Sequence, residues 1–208
     1  MKSIGKTSVK GKKPSIARLI DDYLRESQPF KKDPKLNKKS VFGDLYEVRS
    51  MQTKVSSFDF LSRCVCNRIR HQWCLSNQAV KQAVNKLLDA GFPAKLKNYT
   101  DFEQLYDDLL DLIGTGKTGI SYSTVYDCAI RLGFIDTPPI QPKDYVYVHR
   151  YLRESARRIL GVKRLTAQYR IPRSAFDSRE PAFTKLTALE IEDFLCVKYN
   201  DICNLPQP

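Results

Sequence analysis

The sequence has no apolar run approaching the roughly 18 residues that a membrane span needs, so no membrane partner is expected. Its opening Met1-Lys2-Ser3-Ile4-Gly5-Lys6 has no apolar stretch behind the charges, so a secretory leader is not expected either. The six cysteines are then expected in a reducing compartment, without a disulfide framework, in a cytoplasmic or nucleoid-associated protein. Histidine is scarce: His71 and His149 are the only two in 208 residues, so a two-histidine metal or acid–base site would need both. No Ser-His-Asp or Cys-His arrangement has a defined spacing. Alternating strands and helices are also missing. No cofactor is implied, and oligomeric state leaves no mark on the sequence.

What the chain has is positive charge, unevenly placed. The net charge is +12. Residues 1–40 hold 12 Lys and Arg against 4 Asp and Glu, a balance of +8. Residues 41–144 hold 12 of each, residues 145–173 balance to +7, and residues 174–208 to −3. Two basic blocks thus flank a neutral centre. Lys and Arg that neutralise phosphates release condensed counterions, so this layout suits nucleic acid. A solubilising tail plus a solvated helix face is the plainer alternative.

Residues 1–13 are polar, basic and glycine-containing, and are expected to be disordered when unbound. Residues 14–40 read as an N-terminal helix and linker, with Ile16, Leu19, Ile20, Tyr23 and Leu24 at helical spacing and Gln28 to Lys39 as the linker. Residues 41–208 read as one helical domain. Val41 to Val48 suits a short strand or a helical turn. Ser56 or Ser57, and then Ser76, are helix caps, and Thr100 with Glu103 suggests a capping box. Ser121 to Leu132 reads as a helix ended by Gly133. Asp144 suits the cap of a long helix through Leu160, and Thr187 the cap of a final one. Dense helices and short loops give an all-α or nearly all-α, multi-helix globular fold.

The segment Leu112-Ile-Gly-Thr-Gly-Lys-Thr-Gly-Ile-Ser-Tyr-Ser-Thr-Val joins two of these helices through a glycine turn. Gly116-Lys117-Thr118 matches the end of a phosphate loop. That loop's first glycine falls on Asp111, however, and an amphipathic helix precedes it instead of a buried strand. Gly119, Ile120 and Ser121, followed by Thr124-Val125 and an apolar face of Val125, Ala129 and Leu132, resemble the helix-hairpin-helix family of DNA-binding proteins over about 20 residues. The family's second hairpin glycine is Ser121 here. The resemblance implies backbone contact without sequence readout: the turn approaches a phosphate closely, and the second helix's N-terminus receives it. Lys117, Ser121 and Ser123 would add donors. A plain helix–turn–helix corner of the core is the competing reading.

The layout is also similar to that of helix-hairpin-helix DNA glycosylases, which act in DNA repair. They carry a catalytic Asp about 20 residues past the hairpin, capping a basic helix. Asp144 lies 23 residues after Ser121, and Arg150, Arg153, Arg157 and Arg158 follow. In the family Thr and His follow that Asp; here Tyr145 and Val146 do. The position of the lysine nucleophile of some members falls near Ser123, and their four-cysteine iron–sulfur signature is absent. Asp144 is therefore a candidate catalytic residue against a plain helix-cap role.

Weaker groupings complete the reading. Cys64, Cys66, His71 and Cys74 are zinc-ligand types, yet Cys64 and Cys66 on one helix point about 200° apart, which suits buried thiols better than one metal ion. Tyr145, Tyr147 and Tyr151 interleave with Arg150 and Arg153, as base-stacking or core residues. The expected function is nucleic-acid binding, DNA favoured over RNA and largely independent of sequence. The expected contacts are Lys117, Gly119, Ser121, Ser123, His149, Arg150, Arg153, Arg157, Arg158, Lys163 and Arg164, with no metal site. The alternatives are a glycosylase-like base-excision enzyme and a non-enzymatic adaptor for an acidic protein.

Overall fold

Serine hydroxyls and a few similar side chains start most of the helices. Ser15, Ser40, Ser56, Ser76, Asp101, Ser121 and Thr187 each accept a hydrogen bond from the backbone N–H three residues ahead. Each such cap contributes roughly 0.5–2 kcal/mol. The computed structural model describes residues 15–37, 40–67, 75–116, 119–149, 152–165 and 170–205. Among them are ten α-helices and one two-stranded sheet, a nearly all-α fold. No helix there is long and apolar enough to cross a membrane.

The helices are α1 (Ile16–Lys32), α2 (Val41–Met51), α3 (Ser57–Val65), α4 (Asn77–Asp89), α5 (Phe102–Ile113) and α6 (Tyr122–Phe134). After strand β1 (Tyr145–Tyr147) comes α7 (Leu152–Leu160). Strand β2 (Arg170–Pro172) leads into α8 (Arg173–Arg179), α9 (Ala188–Val197) and α10 (Tyr199–Cys203). The basic segment 1–13 lies outside the described residues.

The buried side chains form two cores. Helices α2 to α6 enclose the first; α1 and α7 to α10 enclose the second. Strand β1 divides them. Side chains alternate along a strand, so Val146 and Val148 enter the second core while Tyr147 enters the first. Tyr147 stacks on Tyr126 and meets Tyr106 and Phe102 edge-on.

Helix α1 belongs to the C-terminal core through Leu19, Ile20 and Tyr23. It covers the acidic face of α9, where Glu190, Glu192 and Asp193 are buried. The Tyr23 hydroxyl donates to Asp193 Oδ2 at 3.0 Å, and Lys31 pairs with Glu190. Burial, and then Asp193, push the Tyr23 phenol pKa up, so it stays a donor. Lys198 Nζ donates to both Glu26 oxygens at 2.8 Å.

Several local readings need correction. Helix α1 runs through Pro29 to Lys32, well into the expected linker, and Val41 to Met51 is an α-helix. Asp101, not Thr100, caps α5, because its Oδ1 takes the Gln104 N–H at 2.9 Å. Gly133 lies inside α6, where the missing side chain lets the Ile140 N–H reach the Gly133 carbonyl at 2.8 Å. The expected helix from Asp144 to Leu160 is broken. Its first residues pair with β2 in the register Tyr145–Pro172, Val146–Ile171 and Tyr147–Arg170.

Candidate functional site

The two basic elements expected to act together are the turn before α6 and the helix α7. The turn is built by Gly114, Gly116 and Gly119, which adopt φ of +74°, +81° and +75°. Gly116 N–H donates to the Ile120 carbonyl at 3.1 Å, and Gly119 N–H to the Gly116 carbonyl at 2.9 Å. Ile120 anchors the turn in the first core, while Gly116, Gly119 and Ser121 remain exposed. The Ser121 hydroxyl lies 2.7 Å from Ser123 Oγ and 3.0 Å from Thr124 Oγ1. The turn follows an amphipathic helix, with Asp111 inside it, so the strand that precedes a phosphate loop is not there. Lys117 and Thr118 lie outside the described residues.

On α7, Leu152, Ser155, Ala156 and Ile159 are buried, which turns Arg153 and Arg157 outward at i and i+4. Arg153 Nη2 donates to the Leu165 carbonyl at 2.9 Å, and Arg157 Nη1 to the Val162 carbonyl at 3.5 Å. These bonds fold the loop after Gly161 back beside the helix, with Lys163 and Arg164 exposed on it. Glu154 offsets part of the charge. Its carboxylate accepts from Arg157 at 2.6 and 2.8 Å and from Arg158 at 3.1 Å. The Arg157 hydrogen bond first, and Arg158 after it, hold the Glu154 carboxyl down to about 2 against opposing desolvation.

His149 departs from expectation. It is buried, with its ring 5.1 Å from that of Tyr126, so it does not stand among the surface arginines. Its carbonyl instead accepts from the Leu152 and Arg153 amides and opens α7. The Tyr126–His149 contact links the two elements. Arg150 and Tyr151 lie outside the described residues. Tyr147, a candidate for base stacking, is buried in the first core.

Asp144 does not cap α7. It precedes β1, its carbonyl accepts from the Arg173 N–H at 2.8 Å, and its side chain lines an open cavity of about 590 Å³. Lys97, Tyr99, Asp101, Glu103 and Pro139 also line this cavity. Glu103 went unnoticed in the sequence because it looked like part of a capping box. Its Oε1 is buried without a hydrogen-bond partner. Burial, reinforced by Asp101 and Asp144, raises its pKa above the usual carboxylate value.

Cys64, Cys66 and Cys128 are buried thiols; His71 and Cys74 lie outside the described residues. Burial pushes the Cys128 thiol up to about 12 and Cys64 upward as well, so neither is a ready nucleophile. No cluster of three or more metal-ligand side chains occurs among the described residues.

A second open groove, of about 480 Å³, also escaped the sequence reading. Lys31, Pro34, Phe42, Tyr46, Arg49 and Phe134 line it. The signal was present as Phe42, Tyr46 and Arg49, spaced i, i+4 and i+7, but it becomes meaningful only once α1 and the end of α6 close the sides. No known protein family, curated protein or solved structure matches the chain.

Proposed function

We propose that this protein binds nucleic acid through the phosphate backbone, DNA in preference to RNA, and largely without reading sequence. One observation carries the reading. The bonds from Arg153 to the Leu165 carbonyl and from Arg157 to the Val162 carbonyl fold the loop that bears the exposed Lys163 and Arg164 back beside α7. Arg158 adds charge at its edge, although Glu154 shares it. The exposed glycine turn at Gly119 leads into the start of α6, and a helix N-terminus favours an anion. In this respect the α5–turn–α6 unit is similar to a helix-hairpin-helix element. On this reading one amide-rich and one guanidinium-rich element both contact the phosphates.

The test is a titration of a 20-base-pair duplex at several salt concentrations. Each neutralised phosphate contributes a slope of about −0.9 in log affinity against log salt, so four contacts predict a slope near −3.6. The double variant Arg153→Glu, Arg157→Glu should weaken binding and flatten the slope. Absence of binding at low salt, or binding without a salt slope, defeats the proposal.

The cavity beside Asp144 favours a second reading, base excision. It is large enough for an extruded base, and a carboxylate there could stabilise a cationic sugar. Cleavage of damaged-base duplexes that is lost in Asp144→Asn with duplex affinity unchanged would support it. An inactive wild-type protein across the common lesions would remove it.

A further inference from the structure

The groove between α1 and α2 lies outside the arginine surface and combines two chemistries. Its floor and walls are aromatic: Phe42 and Tyr46 from one face of α2, and Phe134 from the last turn of α6. Three cations stand over these rings. Lys31 Nζ lies 5.6 Å from the Phe42 centroid, Lys35 Nζ 5.8 Å from Tyr46, and the Arg49 guanidinium carbon 5.8 Å from Phe134. No carboxylate is among the described residues that line it. Lys31 also pairs with Glu190, whereas neither Lys35 nor Arg49 has a carboxylate partner among the described residues. Tyr46 is 39% exposed and neighbouring Leu36 64%, so the apolar surface is open to a ligand.

Apolar surface of this kind is normally covered, and the charges decide by what. A cation held over an exposed ring gains only about 0.5–1 kcal/mol, so the ammonium and guanidinium groups are readily re-aimed. A ligand with flat apolar faces and regularly spaced anions satisfies both halves of the groove. Bases in a duplex are already stacked on their neighbours, whereas unpaired bases present free faces. We infer that this groove is a second nucleic-acid site that takes a single-stranded segment, its bases stacking on Tyr46 and Phe42 and its phosphates meeting Lys35 and Arg49. The inference goes beyond the backbone-binding reading, because it concerns other residues and a different form of nucleic acid.

The probes are a 12-nucleotide oligothymidine, an abasic 12-mer of equal charge and a 12-base-pair duplex, each titrated against the full chain by fluorescence anisotropy. Tyr46→Ala should lower oligothymidine affinity about 5- to 150-fold, the range for losing one base stack. It should leave the duplex and the abasic strand within about twofold. Tyr46→Phe keeps the ring and should keep the affinity, which separates stacking from a general loss of fold. Lys35→Gln with Arg49→Gln should weaken the oligothymidine and reduce its salt slope by about 1–2. Equal affinity for the abasic strand and oligothymidine overturns the inference, as does indifference of oligothymidine to Tyr46→Ala. Self-association abolished by Tyr46→Ala, without oligothymidine binding, also overturns it and identifies the groove as a contact between copies. Arg153→Glu, Arg157→Glu keeps the two proposals apart: it should spare Tyr46-dependent binding of the single strand. If the wild-type protein ignores duplex but retains that binding, the backbone reading falls and the groove stands.

Discussion

Arg131 lies entirely within the first core, with Nε and Nη2 at 3.0 and 2.9 Å from the same oxygen of Asp44. Its Nη1 donates to the Cys64 carbonyl at 2.9 Å, and Asn67 donates to the other Asp44 oxygen. Three helices are thereby tied together: α2 through Asp44, α3 through Cys64 and α6 through Arg131. Burial opposes the guanidinium charge, but Asp44 and Asp127 outweigh it and raise the Arg131 pKa.

The first prediction comes from that pair. Asp44→Ala leaves a buried guanidinium without its counter-charge, which typically costs about 3–5 kcal/mol. Urea denaturation should show a lower midpoint with an unchanged slope. Replacing both partners with apolar residues of similar volume should recover much of the loss. A single variant that unfolds like the wild type would show that the pair does not hold the core.

Gly133 makes a second prediction. A β-carbon there would meet the Ile140 backbone carbonyl, and backbone cannot step aside as a flexible side chain can. Alanine ordinarily favours a helix over glycine by about 1 kcal/mol. Here the collision wins, because moving the segment around Ile140 also strains its hydrogen bond to Gly133. Gly133→Ala should lower stability by about 1–2 kcal/mol, read as a Tm decrease of about 2–8 °C. A Tm equal to or above the wild type would contradict that packing.

The third prediction concerns pH. The Glu154 carboxyl is held down to about 2, chiefly by Arg157, against an ordinary value of 4.5. A depressed carboxyl contributes stability above its unfolded value and loses it as pH falls toward the folded one. The relevant window is therefore about pH 4.5 down to 2, and the contribution is small because the pair is solvent-exposed. Carbon-detected NMR should place the Glu154 midpoint near 2, and Arg157→Ala should move it toward the ordinary value. A wild-type midpoint near 4.5 would mean that Arg157 is free of Glu154.

The caps at Ser56, Ser76 and Thr187 were legible in the sequence, since a cap is decided within four residues. The helical patterns of α4, α5, α6 and α9 were readable for the same reason. Tyr145 to Tyr147 was not. Its aromatic and apolar residues suit a helix, and its partner strand lies 23 residues downstream of it at Arg170 to Pro172. His149 sits among arginines in sequence yet is buried, because the end of β1 aims it at Tyr126.

Composition and local pattern by themselves determined a helical chain with two basic blocks, because charge balance and helical periodicity are sums over neighbouring residues. Tertiary structure alone decided which cations share a face and which rings stay open. Arg153 reaches the Leu165 carbonyl across a folded-back loop, and Tyr46 and Arg49 of α2 meet Lys35 and Phe134 from two other segments. Such meetings depend on long-range packing of two cores about one short strand, which no window along the chain contains.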